Sequence, residues 1–269
     1  GIEGDSIAKK ELKGRLNAYQ NLLFNSLYLN FENASWTFNK EKLKENNLSS
    51  IASNVCDKVF HSTPVIHNEL VVRDKLSSMS MSGSANLITL MLNKSNLKDL
   101  GMEGHPPEFG IYLSIIEANK LHVKNGDEYE FTMEKTKNKN LRKMYEDFLS
   151  IIKKSKEAVS VSDIYAHFEK QPYGSKSGIL PILLAVFFKS SEASCAFYNK
   201  DEQGRESLIT DFDQRISERL YHLPETLKIM FVKIEGEKQV ILNEFKSYVE
   251  KTFLNNKPIE NPTPLYVLK

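Results

Sequence analysis

The stretch Gln171–Ser190, QPYGSKSGILPILLAVFFKS, constrains the chain more than any other. Pro172-Tyr173-Gly174 is a tight-turn signature, and it runs into Ile179–Phe188, the most apolar segment of the sequence. Such a run falls well short of the roughly 20 residues a bilayer requires, but it suits a helix buried on every side. A helix without a polar face has to be wrapped by its neighbours. The sequence therefore predicts a helical domain assembled around this segment.

The rest of the composition sets the scale. The chain has 269 residues, 41% of them apolar, enough for two domains with real cores. Lys+Arg 36 against Asp+Glu 35 leaves a formal charge of +1. A dedicated nucleic-acid binder is usually far more basic, so any such contact has to come from a local patch. Cys56 and Cys195 form no C-x-x-C pair and no disulfide framework, which suits a reducing, cytoplasmic setting. The N-terminal GIEGDSIAKKEL lacks an apolar signal core, and no run is long enough to span a membrane. The abrupt start and the ending PTPLYVLK read as cuts in a longer chain.

Periodicity then orders the elements. Asp5–Leu29 reads as an amphipathic helix with Leu12, Leu16, Tyr19, Leu23 and Leu27 on one face. An extended connector anchored by Phe31, Trp36 and Phe38 follows, then helices over Leu48–Phe60 and Val65–Leu76. Ser77–Ser84 is a small-residue break, and helix resumes over Ser84–Leu92. After the Gly/Pro loop Leu100–Pro107, PEFGIYLSIIEANK is a helix with Ile111, Ile115 and Ala118 inward. Asn125-Gly126 separates two alternating runs, Leu121/Val123 and Tyr129/Phe131, a β-hairpin signal. In the second half, helices at Leu141–Lys154, Asp163–Glu169 and Ile179–Phe188 precede strands at Glu192–Tyr198 and Ser207–Thr210. Ser160 and Ser162 are candidate caps. A helix at Asp211–Leu223, a strand at Thr226–Ile234 ended by Gly236, and a helix at Val240–Phe253 complete the order.

The expected fold is α+β and mostly α, with two consecutive winged-helix-like units closed by short β-hairpins. The expected domains are an N-terminal unit over 1–135, a basic linker and helix over 136–160, a second unit over 161–254, and a tail over 255–269. The halves share a pattern and no residue-level repeat.

Chemistry is sparse. Gly174-Ser175-Lys176-Ser177-Gly178 resembles a phosphate loop, but Walker A places Lys directly after the second glycine, and here Ile179 stands there. The G-x-S-x-G elbow fails as well, because Lys176 is central. Gly174, Ser175, Lys176 and Ser177 remain an anion or turn site, with turn and cap the plainer reading. The histidines His61, His67, His105, His122, His167 and His222 show no metal-ligand spacing, so neither a metal nor a cofactor is expected. Asp163, Glu169, Asp211 and Asp213 are the carboxylates that could pair as general acid and base, but Asp at a helix start is normally a cap. Lys135–Lys143 (KTKNKNLRK) holds five basic residues and no acid, so Lys135, Lys137, Lys139, Arg142 and Lys143 are the candidate phosphate contacts. The hairpin tips VKNGDEYE and NKDEQGRE carry more acid than base and would repel a nucleic-acid backbone.

Three stretches, His61–Ser78, Leu100–Ile116 and Pro172–Phe188, carry Pro64, Asn68-Glu69-Leu70, Pro106-Pro107-Glu108 and Pro172-Tyr173-Gly174. In that order they resemble a region of large bacterial ATP-binding proteins found among phage-defence genes, where it follows the P-loop ATPase part. The ATPase motifs themselves are absent here, so hydrolysis is not implied. The resemblance implies a non-catalytic interaction or regulatory region that passes nucleotide state to a protein partner, such as the ATPase domain of the same protein, or to DNA. The alternatives are a DNA-binding winged-helix module, a metal-dependent nuclease using Glu69 of His67-Asn68-Glu69, and a self-assembling scaffold. Glu69 and Arg73, four apart, are expected to pair on a helix.

Overall fold

The computed structural model describes residues 6–31, 35–44, 47–201, 203–232 and 237–252. The expected strand end at Ile234, the break at Gly236 and the tail 255–269 lie outside the described residues. The architecture is α+β and predominantly helical, with small antiparallel sheets. None of the described helices is long and apolar enough to cross a membrane.

The chain divides into two compact units, Gly1–Val59 and Phe60–Lys269. The first holds helix α1 (Ser6–Phe31), a hairpin of β1 (Thr37–Phe38) and β2 (Glu41–Lys42), and helix α2 (Leu48–Val59). The hairpin stands where an extended connector was expected. Asn39 and Lys40 both take positive φ, as a tight two-residue turn requires. The expected inward stripe of α1 is not buried: Leu12, Leu16, Tyr19, Leu23 and Leu27 are all exposed. Other apolar residues, among them Leu22, Phe24 and Leu29, lie off that stripe, so α1 has no single apolar face.

In the second unit the sequence segment expected to dominate does so. Helix α7 (Leu180–Ser190) buries every side chain from Leu180 to Phe188. Each large one contributes about 1.5–3 kcal/mol of burial. One core runs from Val71 to Ile229. Against α7 lies α3 (Ser78–Asn93), which also packs on α8 (Gln214–His222) and on α4 (Pro107–Ile111). Because α3 starts at Ser78, the expected break Ser77–Ser84 is helix. Its small residues serve packing: Gly83 sits beside Pro107 and Ile111, and Ser80 and Ser84 are buried. The chain continues from α4 into a π-helical turn, Tyr112–Glu117. Ile111 and Ile115 face the core, whereas Ala118 is exposed.

The helix expected at Val65–Leu76 is absent, and the segment is turn and coil. Asn68 explains this locally. Its Oδ1 accepts from the amides of Leu70 (2.9 Å) and Val71 (3.3 Å), an Asx-type turn that competes with helix. Its Nδ2 donates to Ser114 Oγ at 2.7 Å. Glu69 and Arg73 form no ion pair. The first winged-helix-like unit therefore lacks one of its expected helices.

The hairpin at Asn125-Gly126 forms as β3 (His122–Asn125) and β4 (Glu128–Phe131), with Gly126-Asp127 as the loop and Gly126 at φ 63°. Residues 136–160 lie inside the second unit. There α5 (Lys139–Lys154) buries Leu141, Met144, Phe148 and Ile152 along one stripe. After β5 (Val159–Ser160) comes α6 (Val161–Glu169); Ser160 holds its N-cap position, but the hydroxyl pairs with that of Ser162. The strands β6 (Cys195–Lys200), β7 (Glu206–Leu208) and β8 (Leu227–Phe231) join β5 in one antiparallel sheet of order β5-β8-β6-β7. Helix α8 is N-capped by Asp213, and α9 (Glu237–Thr252) ends the described chain.

At Gly178 the close neighbours include backbone, which cannot easily give way. A Cβ there would meet Val71 O, Arg73 O and Leu76 Cδ2, each at 2.6 Å. Gly178→Ala is expected to cost about 1–3 kcal/mol. Gly110→Ala, in open helix with nothing within 4 Å of the new Cβ, is expected to gain roughly 0.5–1 kcal/mol. Chemical denaturation of both variants beside the parent measures the contrast.

Candidate interaction surfaces

The basic run is ordered by its asparagines rather than its charges. Asn138 caps α5 by accepting from Leu141 N at 3.1 Å, and its Nδ2 donates to Val65 O at 3.0 Å. Asn140 Nδ2 donates to Thr63 O at 2.9 Å. Arg142 is spent on the carbonyl of Thr136 (2.6 Å), and Lys143 on the hydroxyl of Ser62 (3.0 Å). Lys135, Lys137 and Lys139 are exposed. Of the five candidate phosphate contacts, Lys143 thus ties the segment around His61–Pro64 to α5, and Arg142 ties down the chain just before α5.

The turn before α7 is equally committed. Gly174 takes φ 58°, which explains the glycine. The Gly174 amide donates to Lys170 O (2.9 Å), the Ser175 amide to Phe168 O (2.9 Å) and the Gly178 amide to Arg73 O (2.8 Å). Ser177 Oγ donates to Glu169 Oε1 at 2.7 Å, and Lys176 Nζ pairs with Asp74 Oδ2 at 2.8 Å on the surface. Ser175 Oγ is buried without a partner among the described residues. An anion here would meet amides already occupied and a carboxylate, Glu169, already in place.

This turn is bonded to the His61–Ser78 stretch, which is bonded in turn to Leu100–Ile116. Ser62 N donates to Pro172 O at 3.1 Å, and Thr63 Oγ1 donates to Tyr173 O. Asn68 ties the same segment to Ser114. Tyr173 is fully buried, edge-on to Phe168, and its hydroxyl donates to Asp147 Oδ2 at 2.5 Å. Burial, reinforced by the Asp147 carboxylate, pushes the Tyr173 phenol well above its usual range. No sequence spacing signals this convergence, because the partners lie about 50 to 110 residues apart.

A cleft of about 760 Å³ opens elsewhere, between β4, α5 and the C-terminal ends of α3, α7 and β8. Phe131, Tyr145, Phe212 and Phe231 line its apolar part. The ion pair Lys189–Glu192, 2.5 Å apart with side chains 5% and 15% exposed, forms one wall. Lys153 sits over the Phe231 ring, 5.0 Å from its centre. Ser190 Oγ, beside the cleft, is buried without a partner among the described residues. Behind β4, His122 is buried between Phe131 and Tyr129. Its Nε2 lies 2.7 Å from Ser95 O and its Nδ1 2.9 Å from Tyr112 Oη. A carbonyl only accepts, so Nε2 carries the proton and Nδ1 accepts from the tyrosine.

Reactive groups are not gathered. No group of three or more His, Cys, Asp or Glu among the described residues could hold a metal ion. Asp213 caps α8, and the Ile216 amide, with help from Arg215, holds its carboxyl below the usual range. Burial pushes the Cys195 thiol up, against the Ser191 hydroxyl and Lys153, which leaves it a poor nucleophile. His67 and Glu69 are exposed while Asn68 is engaged as a cap, so the three do not form a ligand set.

Burial lowers the pKa of His122 from its usual 6.5, opposed by Ser95 O and Asp99. The folded state then binds a proton less readily than the unfolded chain. Its contribution to stability is present above about pH 6.5 and is lost as the pH falls below that value. Thermal unfolding at pH 7.5 and 5.5 is expected to show a larger loss in the parent than in His122→Gln. No family model matches this chain, and neither a curated protein nor a solved structure was found to match it.

Proposed function

We propose that the chain is a non-catalytic protein-interaction region built on a winged-helix-like unit, and that it serves a larger machine of the bacterial defence-ATPase kind. Support for the fold reading comes from connectivity. The order α5–β5–α6–α7–β6–β8, with β8 lying between β5 and β6, is the strand and helix order of a winged helix. β7 and α8 are then an insertion between the last two strands. Support for the ATPase setting comes from the three stretches that resemble such proteins, which fold here into one hydrogen-bonded junction.

One observation carries the choice of protein over DNA. In a helix-turn-helix reader the second helix presents a polar face to the major groove. Here α7 holds that place and is buried from Leu180 to Phe188 under α3 and β4. The tip after β6 pairs Arg205 with Asp201 and keeps its positive charge from an incoming phosphate. Among the described residues, Lys135, Lys137 and Lys139 are the exposed basic residues of the Lys135–Lys143 run without a protein partner.

Titration with short double- and single-stranded DNA across a salt series tests this reading. No saturable binding is expected even at low salt. Binding with a steep salt slope that weakens when Lys137, Lys139, Arg142 and Lys143 become Ala would replace it with a DNA-binding module. Metal-dependent cleavage of either DNA, lost in Glu69→Ala, would replace it with a nuclease.

A further inference from the structure

Helix α1 carries an apolar stripe that reads the same in both directions. Leu12, Leu16, Tyr19, Leu23 and Leu27 recur at spacings of three and four along one side of it. All five are exposed, from 47% at Leu27 to 70% at Tyr19. Leu22 and Phe24, 63% and 66% exposed, flank the stripe about 100° to either side. Single apolar residues on a surface are ordinary, but a row of this length along one helix marks a contact. Its period is that of the seam between paired helices.

The charges are divided along the same helix. Lys9, Lys10, Glu11, Lys13 and Arg15 all fall in its first half, where Glu11 is taken by Arg15 at 2.5 Å. From Leu16 to Phe31 there is no charged residue. The first turn holds no acid and the last turn no base, so neither end of the helix dipole is matched by the helix itself. A second such helix alongside in the same direction would set lysine against lysine. In the opposite direction it sets each lysine cluster beside the other helix's carbonyl end, where positive charge is favoured.

We propose that α1 pairs antiparallel with α1 of a second copy, about a two-fold axis near Tyr19. A two-fold contact requires a patch complementary to itself, and the order Leu-Leu-Tyr-Leu-Leu meets that condition. Leu12 lies opposite Leu27 of the second copy, Leu16 opposite its Leu23, and Tyr19 beside its Tyr19. A different partner protein would need no such symmetry. The area also suffices. A fully exposed side chain of this size offers roughly 60–120 Å². At the exposures given, the stripe and its flanking residues in both copies together bury roughly 500–1,000 Å² of apolar surface. With the polar third of a homodimer interface added, the total reaches the ~1,000 Å² of a specific contact. The pairing uses the first unit alone and holds whatever the second unit binds.

Light scattering behind size-exclusion chromatography, run on the full chain over a concentration series, measures the pairing. A mass of twice 30.8 kDa is expected, halved by Leu16→Lys with Leu23→Lys. Both residues are exposed, and circular dichroism checks that the double variant folds. Direction is read by cross-linking with a short bis-maleimide on a Cys56→Ser background, since Cys56 is exposed and Cys195 buried. Chains carrying Leu12→Cys mixed with chains carrying Leu27→Cys are expected to join, and neither variant is expected to join to itself. A monomer at every concentration would overturn the proposal, as would a dimer that survives the two lysines. Self-joining of each cysteine variant, with no joining between them in the mixture, would assign a parallel pair and overturn the antiparallel register.

Discussion

The fit of helix α7 into its surroundings is the constraint from which the second unit follows. A helix with buried side chains all round cannot be a surface element, so it demands a partner on each side. Helix α3 supplies one, and β4 touches another part of its surface. The start of α7 is held in turn by a backbone approach so close that only a glycine fits at Gly178, with the Arg73 carbonyl accepting from its amide. The segment from His61 to Ser77 has no regular structure of its own. It is held because its main-chain groups are used by the turn that launches the helix.

The parts of this arrangement that the sequence announced are those governed by short-range physics. The helix expected over Leu141–Lys154 forms as α5, and the Asn-Gly pair announced the β3–β4 hairpin. The misreadings have a common cause. Ile66, Leu70 and Val71 have helical spacing, but Asn68 turns the chain and the carbonyl of Arg73 is claimed from about a hundred residues away. Ser77–Ser84 has the composition of a break, yet close packing on α4 needs those small residues in a helix. The two-residue strand β5 is too short to leave a pattern. The cleft is assembled from residues between Leu92 and Phe231, and no local spacing marks it.

Charge shows a similar division between sequence and structure. The run KTKNKNLRK looks electrostatic when read as letters, but its asparagines carry the geometry. They cap a helix and staple a neighbouring coil, while Arg142 and Lys143 serve oxygen atoms of the protein itself. A cluster of like charges is evidence of a partner only for those members that the fold leaves unused.

Strand β7 and helix α8, which lie between β6 and β8 in the chain, limit how it can be divided. Helix α8 packs on α3, with Ser217 Oγ 2.8 Å from Thr89 Oγ1 and Asn93 donating to Phe212 O at 2.6 Å. An element from late in the chain thus closes over one from early in it, on both sides of α7. Cutting the chain near residue 136 to isolate the part from α5 onward would strip α3 from α7 and α8 and bare a broad apolar surface. The piece obtained would be prone to aggregate, and its behaviour would describe the exposed core rather than the protein.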